Sequence, residues 1–123
     1  MSISFSYDSN YQPGAPVVEV TIRRRSEMLL TALIDTGADA CILPIDILME
    51  IGAVYLETRQ LYGITGHTLS VNLYLLEVQI GPHRMPGIRA VAAKPGAEAI
   101  LGRDVLNQLI LTLDGIAGTT EVS

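Results

Sequence analysis

The sequence predicts an all-β domain with one or two short helices, and three patterns support this fold class. Several short segments alternate apolar and polar residues, which is the pattern of strands with one buried face. Other short segments are continuously apolar, and Gly and Pro turn signals separate them. Hydrophobic residues make up 49% of the chain but aromatic residues only 5%, so the core must consist mainly of Leu, Ile, Val and Ala.

The chain length of 123 residues indicates a single domain. Residues 1–16 lack periodicity and are interpreted as an extended N-terminal arm that either pairs with a partner or stays loose. Residues 17–115 form the predicted domain, and residues 116–123 are interpreted as a C-terminal tail. No apolar run approaches the ~18 residues needed to cross a bilayer, and the first residues lack a signal-peptide pattern, so we expect a cytoplasmic protein without a membrane partner.

Charge and cysteine usage exclude several function classes. The formal net charge of -5 argues against nucleic acid as a main partner. The basic cluster Arg23-Arg24-Arg25 lies between two strand-like segments and is interpreted as a solvated hairpin turn rather than an anion site. A single cysteine, Cys41, excludes an internal disulfide and a cysteine-based zinc site, and its apolar surroundings predict a buried thiol. We expect no metal and no cofactor.

The first half of the predicted domain contains two strands and a helix. Residues 17–22 alternate, with Val18, Val20 and Ile22 on one face. Residues 28–34 are so continuously apolar that we expect a central strand with no solvent-facing side. Pro44 begins a short helix that ends at Gly52, because proline is tolerated in the first helical turn and glycine favours the end of a helix.

The second half reads as further strands. Residues 54–80 predict two strands around a turn at residues 63–67. The alternation changes phase between Leu75 and Leu76, which predicts a bulge or a strand that changes its partners. Turn signals at 81–83 and 85–87 precede a strand at 88–93. His67 and His83 are interpreted as solvated turn or loop residues.

The rest of the chain is organised around the segment Leu33 to Leu43, in which a polar loop interrupts an apolar run. Asp35 lies where a core strand ends, and burial of a carboxylate without partners costs several kcal/mol, so its presence there indicates a function. The pattern recurs at residues 99–113 as an apolar strand, a turn at Gly102, a polar pair, a helix through residues 105–109 and a strand. This recurrence indicates a weak internal duplication.

The segments Ala32-Leu33-Ile34-Asp35-Thr36-Gly37-Ala38-Asp39 and Ala99-Ile100-Leu101-Gly102-Arg103-Asp104-Val105-Leu106 resemble the retropepsin-like aspartic protease family. Members of that family carry one Asp-Thr/Ser-Gly per chain and an apolar-apolar-Gly-Arg-Asn/Asp segment near the end. The resemblance covers residues 17–114. It implies a closed acid-protease barrel, a homodimer, and aspartic endopeptidase activity on an extended peptide or an unfolded protein.

The resemblance also implies roles for particular residues. The catalytic residues would be Asp35, Thr36 and Gly37. Because the chain carries one Asp-Thr-Gly, a second copy would have to supply the second carboxylate. Substrate-binding residues would come from the loop and from a mobile hairpin tip, the flap: Gly37, Ala38, Asp39, Tyr62, Gly63, Ile64, Thr65 and Gly66. Gly102 and Arg103 would be structural, with Arg103 a bidentate partner of Asp39.

Other interpretations of these residues stay open. Asp39 and Arg103 alone fit a plain internal ion pair, and the predicted flap fits an ordinary surface hairpin. The runner-up function is a dimeric peptide-binding or assembly module of the same fold that cleaves slowly or not at all. A metal-dependent enzyme using Asp35, Asp39 and Asp104 is a remote third possibility.

Overall fold

A computed structural model describes residues 2–123 of the chain, which form ten strands and two short helices. The strands are β1 (Ile3–Ser6), β2 (Val17–Arg23), β3 (Glu27–Ile34), β4 (Ile42–Pro44), β5 (Val54–Tyr62), β6 (Thr68–Ile80), β7 (His83–Ala93), β8 (Ile100–Leu101), β9 (Leu111–Asp114) and β10 (Thr119–Val122). The helices are α1 (Ile45–Glu50) and α2 (Arg103–Leu106). The predicted mostly-β class with one or two short helices is confirmed. Neither helix in this part of the chain is long and apolar enough to cross a membrane.

Most strands belong to a seven-stranded sheet with the order β2-β3-β8-β4-β7-β6-β5, in which β2 also pairs with β6. Two neighbouring pairs, β3 with β8 and β4 with β7, run parallel. The core is aliphatic, as predicted, and its largest fully buried side chains are those of Ile22, Leu43, Leu48, Ile51, Leu76, Ile80 and Leu101. In this strand order, the short strand β8 lies between β3 and β4 and pairs with the end of each.

Arg24 and Arg25 form the exposed turn of the β2–β3 hairpin, as predicted, whereas Arg23 of the same cluster ends β2 and is half-buried. The backbone N–H groups of Arg25 and Ser26 donate to the carbonyl oxygen of Ile51, at 2.9 and 3.2 Å. The turn thus satisfies a carbonyl at the end of α1, which has no partner within the helix. Gly52 follows with a φ of 74°, a backbone conformation that favours glycine.

The prediction that residues 28–34 have no solvent-facing side is wrong. The strand is central in its pairing, between β2 and β8, but Leu29 is 67% exposed while Ala32 and Ile34 are buried. Alternate side chains of a strand point to opposite faces, and only one face of β3 covers the core.

The phase change in the alternation of β6 is confirmed. Its register with β7 shifts between Leu76 and Val78, and the strand pairs with β5 up to Leu75 but with β2 from Glu77 onward. The prediction of a second turn at residues 85–87 is wrong. Gly87, with a φ of 74°, lies inside β7 at the place where the register with β6 shifts. His83, predicted in a solvated loop, begins β7, and its Nε2 is buried without a partner among the described residues.

Both ends of the described chain are ordered strands. β1, within the predicted arm, pairs antiparallel with β10, within the predicted tail, and β9 completes a three-stranded sheet. Val122 is fully buried, and Ile3 and Phe5 pack against the core, so apolar burial holds the two ends together. Met1, the first residue of the predicted arm, lies outside the described residues. The division at residues 16 and 115 stays a prediction.

Candidate active site

Asp35 directly follows β3 and begins a turn that we call the Asp loop, residues 35–40. The parallel pairing of β3 with β8 brings Asp35 beside Leu101, whose carbonyl oxygen accepts a hydrogen bond from the Asp35 N–H at 3.1 Å. The Asp35 side chain is half-buried, and its Oδ1 accepts a hydrogen bond from the N–H of Gly37 at 2.9 Å. The carboxylate is therefore oriented by backbone and remains accessible.

The two residues after Asp35 are exposed. A Cβ on Gly37 would lie 3.2 Å from Asp35 Oδ1, so any side chain there would press against the carboxylate. The carbonyl oxygen of Thr36 accepts a hydrogen bond from Arg103 Nη1 at 2.8 Å, which fixes the backbone of the turn. The exposed hydroxyl of Thr36 is free to meet another molecule.

Arg103, at the start of α2, holds the Asp loop at three residues. Its N–H donates to the carbonyl oxygen of Ala38 at 2.9 Å, and its guanidinium donates to the carbonyl oxygen of Thr36 and to Asp39 Oδ1. The guanidinium is thus shared between a backbone carbonyl and a carboxylate, which differs from the predicted bidentate pair. The Asp39 side chain is 89% exposed, so its ion pair adds little stability, and the bonds to the two carbonyls do more to position the loop.

Gly102 lets α2 approach the Asp loop. A Cβ at this position would lie 2.6 Å from both the carbonyl carbon and the carbonyl oxygen of Ala40. No side chain fits against backbone at that distance. The steric requirement for glycine is therefore a property of this structure, and the role that the resemblance implies for Gly102 stays a prediction.

Sequence reasoning missed the contact between Asp104 and Cys41. The N–H of Cys41 donates to Asp104 Oδ2 at 3.0 Å, and the Cys41 Sγ lies 3.1 Å from Asp104 Oδ1. Burial and the neighbouring carboxylate raise the pKa of the Cys41 thiol, so the thiol stays protonated and donates. The predicted buried thiol is confirmed. The only signal in the sequence was the polar pair after Gly102.

The predicted flap forms the turn of the β5–β6 hairpin. The N–H of Gly63 donates to the His67 carbonyl oxygen at 2.9 Å, and Gly66 adopts a φ of 82°. All residues from 58 to 70 are exposed, with Tyr62 at 80%, so the hairpin tip extends beyond the packed core. The side-chain faces of the hairpin differ: one carries the pair Leu61 and Leu69, and the other carries hydrogen-bonded polar pairs.

The structure therefore collects the predicted site residues into two groups. Residues 35–39, 102 and 103 form one hydrogen-bonded cluster, and residues 62–66 form the hairpin tip. No hydrogen bond joins the two groups within residues 2–123. In the same part of the chain, no three His, Cys, Asp or Glu side chains are grouped to hold a metal ion, so the proposed set of Asp35, Asp39 and Asp104 has no geometric support.

Comparison with known proteins agrees with this fold and loop. The family model of the retroviral aspartyl proteases matches residues 12–114, so the chain belongs to this family. The predicted retropepsin-like membership is thereby confirmed. The crystal structure of a retropepsin-like aspartic protease from Rickettsia conorii has the same fold, with a TM-score of 0.68 over 100% of this chain and 93% of that chain at 13% sequence identity. No curated protein matches the chain significantly.

Proposed function

We propose that the protein is an aspartic endopeptidase that acts as a homodimer, with Asp35 from each subunit forming the catalytic pair. The observation that carries the proposal is the position of Asp35: it ends a core strand, its carboxylate is oriented by the Gly37 N–H, and it remains accessible. Peptide hydrolysis by carboxylates alone needs two of them around one water. The sequence contains one Asp-Thr-Gly, so the second carboxylate comes from a second copy across a twofold axis.

The chemistry follows from the proximity of the two carboxylates. Two like charges in near contact cannot both ionise, so the pair shares one proton. The ionised Asp35 accepts a proton from water as the water oxygen attacks the peptide carbonyl carbon, and the protonated partner donates to the carbonyl oxygen. The tetrahedral intermediate then breaks its C–N bond as the carboxyl that took the water proton gives it to the nitrogen. One hydroxyl of the intermediate returns its proton to the other carboxylate, which leaves a carboxylic acid, an amine and the original pair with one shared proton.

The substrate is an extended peptide or a locally unfolded protein that lies between the Asp loop and the flap. The backbone of Gly37 and Asp39 would contact the peptide on one side, and residues 62–66 would do so on the other, which suits recognition by strand addition. Ala38, whose N–H and carbonyl are bonded to Asp35 and Arg103, would contact it through its side chain. Closure of the exposed hairpin would exclude water from the reacting atoms. Thr36 is exposed, and its hydroxyl would bond the same loop of the partner subunit beneath the carboxylates.

We also propose that the large sheet closes into a barrel. The pairing of β2 with both β3 and β6 supports this, because it joins the two ends of a run of hydrogen-bonded strands. A closed barrel would fix the Asp loop relative to the base of the flap. The substrate would then bind between the fixed Asp loop and the movable flap.

The test is the substitution Asp35→Asn, with Asp46→Asn as a matched control on the exposed first turn of α1. Asp35→Asn should leave folding unchanged and abolish cleavage of a peptide library, because an amide cannot accept the proton from water. Asp46→Asn should cleave at the wild-type rate. Retained cleavage by the Asp35→Asn protein would refute the proposed role.

The alternative, a peptide-binding or assembly module, is distinguished by the same library. Its motivation is the flap, which carries only Gly63 and Gly66 and is poorer in glycine than the flaps of retroviral members. A module of this kind would bind peptides without turnover between about pH 4 and 7, the range in which a pair sharing one proton is active. Turnover in that range would exclude it.

A further inference from the structure

A groove of about 410 Å³ lies beside the Asp loop. Its charged and polar lining comes from the loop, from α2 and its end, and from strands β5 and β7: Asp39, Arg59, Arg89, Asp104 and Gln108. In the proposed function a peptide passes along residues 37–39. Substrate residues farther along the peptide than the two that flank the scissile bond would lie in this groove.

The acidic groups of the groove are already engaged. Asp39 is paired with Arg103. The two oxygens of Asp104 accept hydrogen bonds from the backbone and thiol of Cys41. Both carboxylates are thus oriented by donors within the protein.

The basic groups are engaged less. Arg59 donates to Glu57, two residues away on the same strand. Arg89 is exposed and takes part in no ion pair within residues 2–123. Arg89 is thus the exposed charged group of the groove lining without an ion pair in this part of the chain, whereas Asp104, which also has none, is half-buried and bonded to Cys41. An acidic group in this groove would be attracted by the exposed guanidinium of Arg89.

Arg89 is also held by a rigid element. It lies in the interior of β7, opposite Leu75 of β6, and it shares a strand face with Val91, which lies opposite the buried Leu73. The backbone beneath the guanidinium is thus fixed by a sheet rather than by a loop. A planar guanidinium on a fixed strand matches the planar carboxylate of Asp or Glu.

We propose that Arg89, with Arg59 on the β5 side of the groove, binds an acidic side chain of the peptide substrate and makes the protease selective for Glu or Asp outside the residues that flank the scissile bond. This inference rests on the proposed function, because it takes the peptide to lie along the Asp loop. Arg89 is the principal specificity-determining residue, since Arg59 is shared with Glu57.

Cleavage of matched peptides tests the proposal. A cleaved library peptide is resynthesised with Glu, Gln or Lys at each position in turn. Rates are compared for the wild type, Arg89→Gln, Arg89→Glu and the control Arg24→Gln, which changes an exposed arginine in the β2–β3 turn. The wild type and Arg24→Gln should prefer Glu by about fivefold at one position, as for an ion pair near the surface. Arg89→Gln should lose this preference while retaining its rate on the Gln peptide, and Arg89→Glu should prefer Lys there. Equal rates on Glu and Gln peptides by the wild type would overturn the proposal.

Binding separates this proposal from the proposed function. An array of peptides in pairs that differ by one Glu or Gln is probed with Asp35→Asn protein and with the double variant Asp35→Asn/Arg89→Gln. Stronger retention of the Glu members by the single variant only, weakening with added salt, supports the role of Arg89 even if the wild type cleaves nothing. Cleavage without charge preference would leave the endopeptidase proposal intact and refute this one.

Discussion

Gly102 and Gly37 are the two positions where an added Cβ would disturb the geometry of the Asp loop. Beside Gly102 the backbone of Ala40 lies closer than any side-chain carbon tolerates, whereas the Cβ of Gly37 would meet only the Asp35 carboxylate, at 3.2 Å. The first contact joins two backbones, and neither can give way without moving α2. Gly102 therefore controls the position of Arg103, and through it the turn that carries Asp35.

Gly102→Ala should destabilise the protein by about 1–3 kcal/mol, or more if α2 cannot shift, because the added methyl overlaps the Ala40 backbone. Urea unfolding measures the change. Gly115→Ala is the matched control, since a Cβ there meets nothing within 4 Å and the residue does not have a positive φ. The control should stay within about 0.5 kcal/mol of the wild type. Equal effects of the two substitutions would contradict the packing argument.

For single residues, the sequence predicted which ones belong to known motifs but not which residues they contact. Asp35 and Arg103 could be found because each stands in a short, recognisable segment. The contact of Cys41 with Asp104 could not, since it joins residues 63 positions apart and depends on how α2 meets the loop. The shared guanidinium of Arg103 was missed for the same reason: no local pattern says which carbonyl will lie within its reach.

Among the elements, β6 is the strand that joins the most partners, and Glu77 marks the place where it changes them. The carboxylate of Glu77 bonds Arg84 on β7 and Arg23 on β2, so one side chain links three strands. These two arginines hold the pKa of Glu77 below its ordinary value. A group whose pKa is lowered by folding stabilises the folded state when ionised and loses that contribution as the pH falls through the folded-state pKa.

Glu77→Gln should therefore lower stability at neutral pH and have progressively less effect below pH 4.5, the ordinary value for this carboxyl. Thermal unfolding of both proteins across that range measures the difference. Glu98→Gln, an exposed carboxylate in the loop before β8, is the control and should show no such trend. A difference that does not shrink in acid would mean that Glu77 acts through packing rather than charge.

Strands within the domain were predicted well where alternation was strong, and poorly where tertiary pairing decided. Pro86 and Gly87 have the local pattern of a turn. However, β6 pairs with β7 on both sides of them, so β7 continues as an irregular strand. The pairing of β1 with β10 was likewise outside the reach of local patterns, because it joins opposite ends of the chain. The exposed side of β3 was missed because a continuously apolar run does not reveal which of its faces meets solvent.

For the whole molecule, a site made from two half-sites predicts a particular response to mixing. Active wild type is combined with the inactive Asp35→Asn variant at constant total concentration, after subunits have exchanged. Activity should fall as the square of the wild-type fraction, because a mixed dimer carries only one Asp35 carboxylate. A proportional decline would mean that each subunit works alone.

Dilution provides the companion measurement. Specific activity should fall when the total concentration drops below the dissociation constant of the dimer, and the Asp46→Asn control should follow the same curve as the wild type. Specific activity that is independent of concentration, together with a monomeric mass in solution, would contradict the shared site.

The pairing of β1 with β10 brings the two ends of the described chain together, because Ile3 lies directly opposite Val122. Strand β10 is paired on both sides, with β1 and β9, and β1 is paired with β10. In the proposed homodimer, such a subunit would stay inactive until a second copy supplies the other Asp35. Under the proposed mechanism, abundance alone would then decide when proteolysis begins.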